Sequence, residues 1–259
     1  MAKINTLDPN RSGHPAVLLL HGLGADGSSW GLQMPALAEA GFRPIAPDTP
    51  GFGQSAYDGK GWNIKRVAAH MAGLLQELGA APAHVVGLSM GGVIAQQFAL
   101  DFPQLTQKLV LVSTFAVLRP DDLSGWVYFL RRAVAVSTLG LHAQGRIVAE
   151  RLFPGPDQAG LRMLLEETIA SADPRAYRSA MRSLALFDSR RRLAHIHNPT
   201  LVLSGQEDST VSPLRQQVLA QAIQGARQLV IPQAGHALSV DQAELFNRAL
   251  LEFLGAGGG

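Results

Sequence analysis

Cysteine is absent from the 259 residues, which removes disulfides, thiolate metal sites and a cysteine nucleophile from consideration. No apolar run reaches the ~18 residues that a membrane-spanning helix needs, and the opening segment MAKINTLDPNRSGH lacks the hydrophobic stretch of a signal peptide. A cytoplasmic location with no membrane contact is therefore expected. Charge is also sparse, at 16% of the residues with a net value of +2. With no long basic run and no aromatic-interleaved basic stripe, nucleic acid is not an expected partner. Internal repeats are lacking, and low complexity is confined to the glycine-rich tail Gly255 to Gly259, which reads as a frayed end.

What is present is apolar material. At 47% hydrophobic residues, the chain can bury one substantial core. Short continuous apolar runs at Ala16 to Leu20, Arg43 to Pro47, Ala83 to Leu88, Leu109 to Ser113, Thr200 to Ser204 and Gln228 to Ile231 have the pattern of strands covered on both faces. Helix-length segments separate them, at about Ser29 to Ala40, Ile64 to Leu78, Met90 to Leu100, Pro213 to Ile223 and Val240 to Leu254. The alternation predicts an α/β fold with a mostly parallel central sheet and helices on both faces. Residues 119–192 break the rhythm with helical periodicity, punctuated by Pro154, Pro156 and Pro174. They read as four helices forming a cap between a first core part, 1–118, and a second, 193–259, in one domain overall. This stretch holds 12 arginines against 8 acidic residues, so it carries the chain's positive balance.

Four short motifs fall at the C-terminal ends of these strands. Gly87-Leu88-Ser89-Met90-Gly91 stands directly after AHVVGL and before the helical GGVIAQQFAL. That is the strand-turn-helix context of a nucleophile elbow, in which small residues two before and two after the serine let neighbouring segments pass. A helix starting there aims its amides and positive dipole end at a developing oxyanion. Taken alone, the same letters describe a glycine-rich turn whose serine caps a helix.

His21-Gly22-Leu23-Gly24 follows the first buried strand and can bring the Leu23 amide opposite that of Met90, the two donors of an oxyanion hole. An ordinary glycine turn is its plain alternative, and His21 itself reads as a loop-organising hydrogen bonder. Gly205-Gln206-Glu207-Asp208 offers a carboxylate on the same rim. Asp208 fits best, Glu207 is the fallback and Asp121 or Asp122 is more remote; a turn aspartate bonding its own backbone is the common alternative. Gly235-His236 lies in the loop after the last strand. A lone histidine there is usually a satisfied core residue. Serine, acid and histidine in this chain order on one rim make Ser89 the nucleophile, His236 the general base and Asp208 the residue that orients it. A serine hydroxyl needs such help, because it must lose its proton to an imidazole as it attacks.

Together with Asp48 to Ser55 (DTPGFGQS), Gly92 and Pro213, these motifs resemble the α/β-hydrolase superfamily along nearly the whole chain outside 119–192. Within it the chain is most similar to the group of 3-oxoadipate enol-lactonases, carboxylesterases and carbon–carbon bond hydrolases. The resemblance implies the triad Ser89, Asp208 and His236, the hole-forming amides of Leu23 and Met90, and no need for a metal or organic cofactor. Asp48 and Ser55 match a structural segment and stay outside the site. The hairpin that usually opens the fold is shortened, leaving a single strand near Ile4 to Leu7. Thr49 stands where the pattern usually has an apolar residue, and no function is attached to it.

The expected activity is hydrolysis of a small carboxylic ester or lactone through an acyl-serine, by a monomer or small homo-oligomer. A carbon–carbon bond hydrolase, a perhydrolase-like enzyme and a slow-turnover receptor on the same fold are the rivals, whereas a haloalkane dehalogenase would need a carboxylate at position 89. Trp126, Tyr128 and Phe129 form a bulky cluster in the cap, and Trp126 and Phe129 are the candidates for the substrate pocket; large residues at helical spacing are as readily packing residues.

Overall fold

The structure, a computed structural model, describes residues 3–120 and 122–255. Asp121 and the tail beyond Gly255 lie outside the described residues. Seven strands form one sheet in the order β1-β3-β2-β4-β5-β6-β7. They are β1 (Thr6–Leu7), β2 (Ala16–Leu20), β3 (Arg43–Pro47), β4 (Ala83–Leu88), β5 (Thr106–Val112), β6 (Thr200–Gly205) and β7 (Arg227–Ile231). Only β1 runs antiparallel, pairing Thr6 with Pro47. The opening of the fold is thus one two-residue strand, inside the expected Ile4 to Leu7.

Alternation along the strands feeds two cores. Leu18 and Leu20 of β2 pack with Val67, Met71 and Leu75 of α2 (Ile64–Glu77) and Val93, Ile94 and Phe98 of α3 (Met90–Asp101). Val17 and Leu19 pack on the other face, with Leu37 of α1 (Met34–Glu39) and Phe246 and Leu250 of α10 (Ala243–Gly255). Each such fully buried Leu, Met or Phe contributes about 1.5–3 kcal/mol of transfer free energy. Burial on both faces is why these strands read as unbroken apolar runs.

Several elements differ from the expected ranges. β5 begins three residues early, at Thr106, because its polar start is paired: Thr106 registers with Ala83, and Lys108 Nζ donates to the carbonyls of Phe253 and Leu254 at 2.9 and 2.8 Å. The segment after β2 splits into a 3₁₀ turn, Gly27–Trp30, and the short α1. After β6 comes α8 (Pro213–Ala222), and the last predicted helix breaks at Gln242 (φ −135°) into α9 (Leu238–Asp241) and α10.

Between β5 and β6 the chain leaves the sheet and forms α4 (Leu123–Val134), α5 (Gly140–Leu152), α6 (Ala159–Ser171) and α7 (Pro174–Leu186). A π-helical turn, Ala135–Leu139, joins the first two. Asp122 caps α4 by accepting from Gly125 N–H at 2.8 Å, and Asp173 caps α7 ahead of Pro174. A lone antiparallel bridge, Val117 to Asp188, closes the neck of this insertion. Parallel register then brings the C-terminal ends of β2, β4, β5 and β6 to one rim: Leu20 pairs with Gly87, Leu88 with Val112 and Val112 with Leu203. No helix among the described residues is long and apolar enough to cross a membrane.

Candidate active site

Ser89 sits between β4 and α3 with φ +53° and ψ −110°, a conformation that costs a non-glycine residue about 1–3 kcal/mol. The surroundings hold it there. Its N–H donates to Val112 O at 2.8 Å and its carbonyl accepts from Thr114 Oγ1 at 2.8 Å. The flanking glycines are required by contact, since a Cβ on Gly87 would lie 2.2 Å from Gly91 O and one on Gly91 2.0 Å from Leu20 O. Met90 is the first residue of the buried helix α3, so the elbow feeds straight into the core.

The loop after β2 lies against the elbow: a Cβ on Gly22 would stand 3.2 Å from Leu88 Cδ2 and 3.8 Å from Ser89 Cβ. His21 organises this loop. It is fully buried, its Nδ1–H donates to Gly22 O at 2.8 Å, and its Nε2 accepts from the Thr49 N–H at 2.9 Å. Burial holds its pKa below the ordinary histidine value. With both nitrogens engaged it is a neutral brace. Thr49, whose hydroxyl also stands 3.1 Å from Nε2, is thereby the partner of that brace. Asp48 is likewise structural, accepting from Gly27 N, Gln54 N and Asn5 Nδ2 at 2.8, 2.9 and 2.8 Å. Ser55 Oγ accepts from the Asn5 N–H at 2.8 Å.

Asp208 and His236 meet across the ends of β6 and β7. His236 Nδ1 lies 2.9 and 3.1 Å from the two carboxylate oxygens of Asp208. An ionised carboxylate only accepts, so Nδ1 carries the proton and the neutral ring keeps a lone pair on Nε2. Asp208 Oδ1 also accepts from the amides of Thr210 and Val211 at 2.9 and 2.8 Å, and Gln216 Nε2 stands 3.4 Å from Oδ2. The two loops approach closely because residue 205 is glycine; a Cβ there would be 2.2 Å from Gly235 O. Gly235 N–H in turn donates to Asp241 Oδ2 at 2.9 Å, and burial raises the Asp241 pKa. Glu207 is exposed, and Asp122 serves as the α4 cap.

A cavity of about 150 Å³ lies between this rim and the insertion. Gly22, Leu23, Ser89 and His236 line it from the core, and Tyr128, Arg132, Leu152 and Phe153 from the insertion. Trp126 and Phe129, expected in the pocket, are corrected. Trp126 is 58% exposed and Phe129 is packed against Tyr128 with ring centroids 5.4 Å apart, and neither lines the cavity. The reason is angular: at about 100° per residue, Trp126 falls roughly 200° from Tyr128 around α4. Gly125, Tyr128 and Arg132 form its buried face. Sequence reasoning missed Arg132, Gln216 and Asp241. The available signal for Arg132 is its place one turn beyond Tyr128, but Arg131 beside it has the same letter and helical phase alone does not separate them.

Comparison with known proteins agrees with this architecture. A sequence profile described as alpha/beta hydrolase fold matches residues 15–243. The chain belongs to the α/β-hydrolase fold family. This hydrolase is 33% identical to a putative carbamate hydrolase RutD of Variovorax paradoxus, with 92% of this chain and 91% of the relative covered. Among solved structures it is similar to the enol-lactonase of Burkholderia xenovorans LB400 (TM-score 0.87, 28% identity, 98% of this chain and 96% of that one). It is also similar to a malate-bound thermophilic esterase of Thermogutta terrifontis (TM-score 0.83, 31% identity, 98% and 93%).

Proposed function

We propose that this hydrolase cleaves a small carboxylic ester or lactone through an acyl-serine intermediate. The observation that carries the reading is the buried His236–Asp208 pair, bonded at 2.9 Å, in the wall of the cavity that Ser89 also lines. Ser89 Oγ attacks the acyl carbon while His236 Nε2 takes its proton. Asp208 keeps the ring in that tautomer and stabilises the imidazolium. The amides of Leu23 and Met90 hold the oxyanion, where one preorganised donor is worth about 10²–10³ in rate. The imidazolium then protonates the leaving alcohol, and water, deprotonated by the same nitrogen, releases the acid. Residues 119–192 act as a cap that bounds the acyl pocket and screens it from bulk water.

The names of the relatives support a carbonyl bonded to oxygen or nitrogen as the point of attack. The deciding experiment is steady-state turnover of short esters, lactones, carbamates and ring-cleavage diketones by the wild type and Ser89→Ala. Esters or lactones should be turned over fastest, with loss of nearly all activity in Ser89→Ala. A tenfold preference for the diketones would move the assignment to carbon–carbon cleavage, and one slow acylation without turnover would move it to a receptor.

A further inference from the structure

Two polar groups of α4 in the cavity wall have no part in the reaction above. Tyr128 and Arg132, one helical turn apart, are each 8% exposed and line the same cavity as Ser89 and His236. The Tyr128 hydroxyl is buried and makes no well-aligned hydrogen bond, its one polar neighbour being the Arg132 guanidinium that acts on it electrostatically. The Arg132 guanidinium lies over the Tyr128 ring, 5.4 Å from its centroid. It donates through Nε and Nη2 to the side-chain oxygen of Gln144 at 2.8 and 3.1 Å, with the Tyr177 hydroxyl 3.4 Å from Nη2. Those neighbours are neutral. Among the described residues no carboxylate pairs with Arg132; the groups that act on its charge are the Tyr128 and Tyr177 hydroxyls and Gln144.

The other buried guanidinium of the described chain provides the contrast. Arg43 is matched by a carboxylate, donating to both oxygens of Asp8 at 3.0 and 2.8 Å. A guanidinium cannot shed its proton to escape burial, so an unmatched one inside a protein is costly unless a ligand brings the opposite charge. The buried hydroxyl beside it is a second donor that an acceptor can engage. A carboxylate suits both groups, accepting from the Arg132 guanidinium and from the Tyr128 O–H through its two oxygens.

We propose that Tyr128 and Arg132 form a carboxylate subsite, so that the preferred substrate is a small ester or lactone carrying a free carboxylate on its acyl part. The assignment rests on the ester- or lactone-cleaving reading above. The cavity volume of about 150 Å³, comparable to an engineered cavity that accepts benzene, leaves room for a short acyl chain between the scissile carbonyl and that carboxylate. Gln144 and Tyr177 fix the guanidinium from behind.

The test compares monomethyl succinate with its uncharged shape match, methyl 4-methylpentanoate. The wild type should favour the succinate ester by at least about tenfold in kcat/KM, because a site built around polar partners rejects an analogue that leaves them unpaired. Arg132→Met should abolish that preference, a loss of at least about tenfold, and Tyr128→Phe, which removes only the hydroxyl, should reduce it by about fivefold, mostly through KM. A wild type indifferent to the carboxylate, or variants that lose both esters in equal proportion, would overturn the subsite. If neither ester is turned over, calorimetric binding of monomethyl succinate to Ser89→Ala separates the two ideas. Binding that disappears on adding Arg132→Met upholds the subsite while the hydrolytic reading fails, and an absence of binding overturns the subsite.

Discussion

His236 donates its Nδ1–H to Asp208 and therefore presents a lone pair on Nε2. Replacing Asp208 by Asn puts an amide donor against Nδ1 and favours the opposite tautomer. In the proposed mechanism Asp208→Asn should lower kcat by about 10⁴ with an unchanged denaturation midpoint, the loss typical of a triad acid. Glu207→Gln, on an exposed side chain, should leave kcat within about twofold; a crippled Glu207→Gln beside an active Asp208→Asn would contradict the assignment. At this scale the letters carried the chemistry and not the directions. Glu207 and Asp208 are adjacent acids, and only the turn that gives the amides of Thr210 and Val211 to Asp208 decides which one faces the histidine. Arg131 and Arg132 pose the same problem, resolved only once α4 is docked.

Among elements, the insertion seats on loops that have no room for a side chain. Gly24 (φ +85°) would place a Cβ 2.5 Å from Ile169 Cγ1, and Gly51 (φ +85°) one 2.2 Å from the Ala176 Cβ. Gly51 O also accepts from the Asp173 N–H at 2.8 Å, at the start of α7. Gly24→Ala therefore combines left-handed strain with a clash against the insertion and should cost about 2–4 kcal/mol. Gly41 has a similar φ of +88° with nothing within 4 Å of an added Cβ, so Gly41→Ala should lose only the backbone share, about 1–2 kcal/mol. Equal losses in chemical denaturation would mean that the insertion does not press on the loop after β2. The strands and the helical insertion were legible as elements because period and apolar runs report burial. The start of β5 and the break at Gln242 were not: the first depends on the long-range bonds of Lys108 to the end of α10, and the second on how the loop turns to set Asp241 against the Gly235 amide.

For the molecule as a whole, buried histidines set the acid limb of stability. His84 on β4 packs edge-on against Phe42, with ring centroids 5.9 Å apart, and burial, aided by Lys108, lowers its pKa from 6.5 to about 4. Burial lowers His21 and His70 in the same direction. The unfolded chain takes up these protons below pH ~6.5 while the folded chain refuses them. Their contribution is thus complete above that value and lost as the pH falls from 6.5 toward 4, with His84 accounting for at most about 3 kcal/mol. The urea midpoint should drop between pH 7 and pH 5, and His84→Gln should shrink the drop; a midpoint that holds or rises on acidification would contradict this.

All of these scales converge on one hydroxyl in one strained turn. The most direct test is intact-protein and peptide mass spectrometry after treatment with a small alkyl phosphonofluoridate, which stays on an activated serine. One adduct per chain is expected, located on Ser89, formed in step with loss of hydrolytic activity and absent from Ser89→Ala. Full inactivation with the label on another residue, or complete labelling of Ser89 with hydrolytic activity retained, would contradict a nucleophilic Ser89.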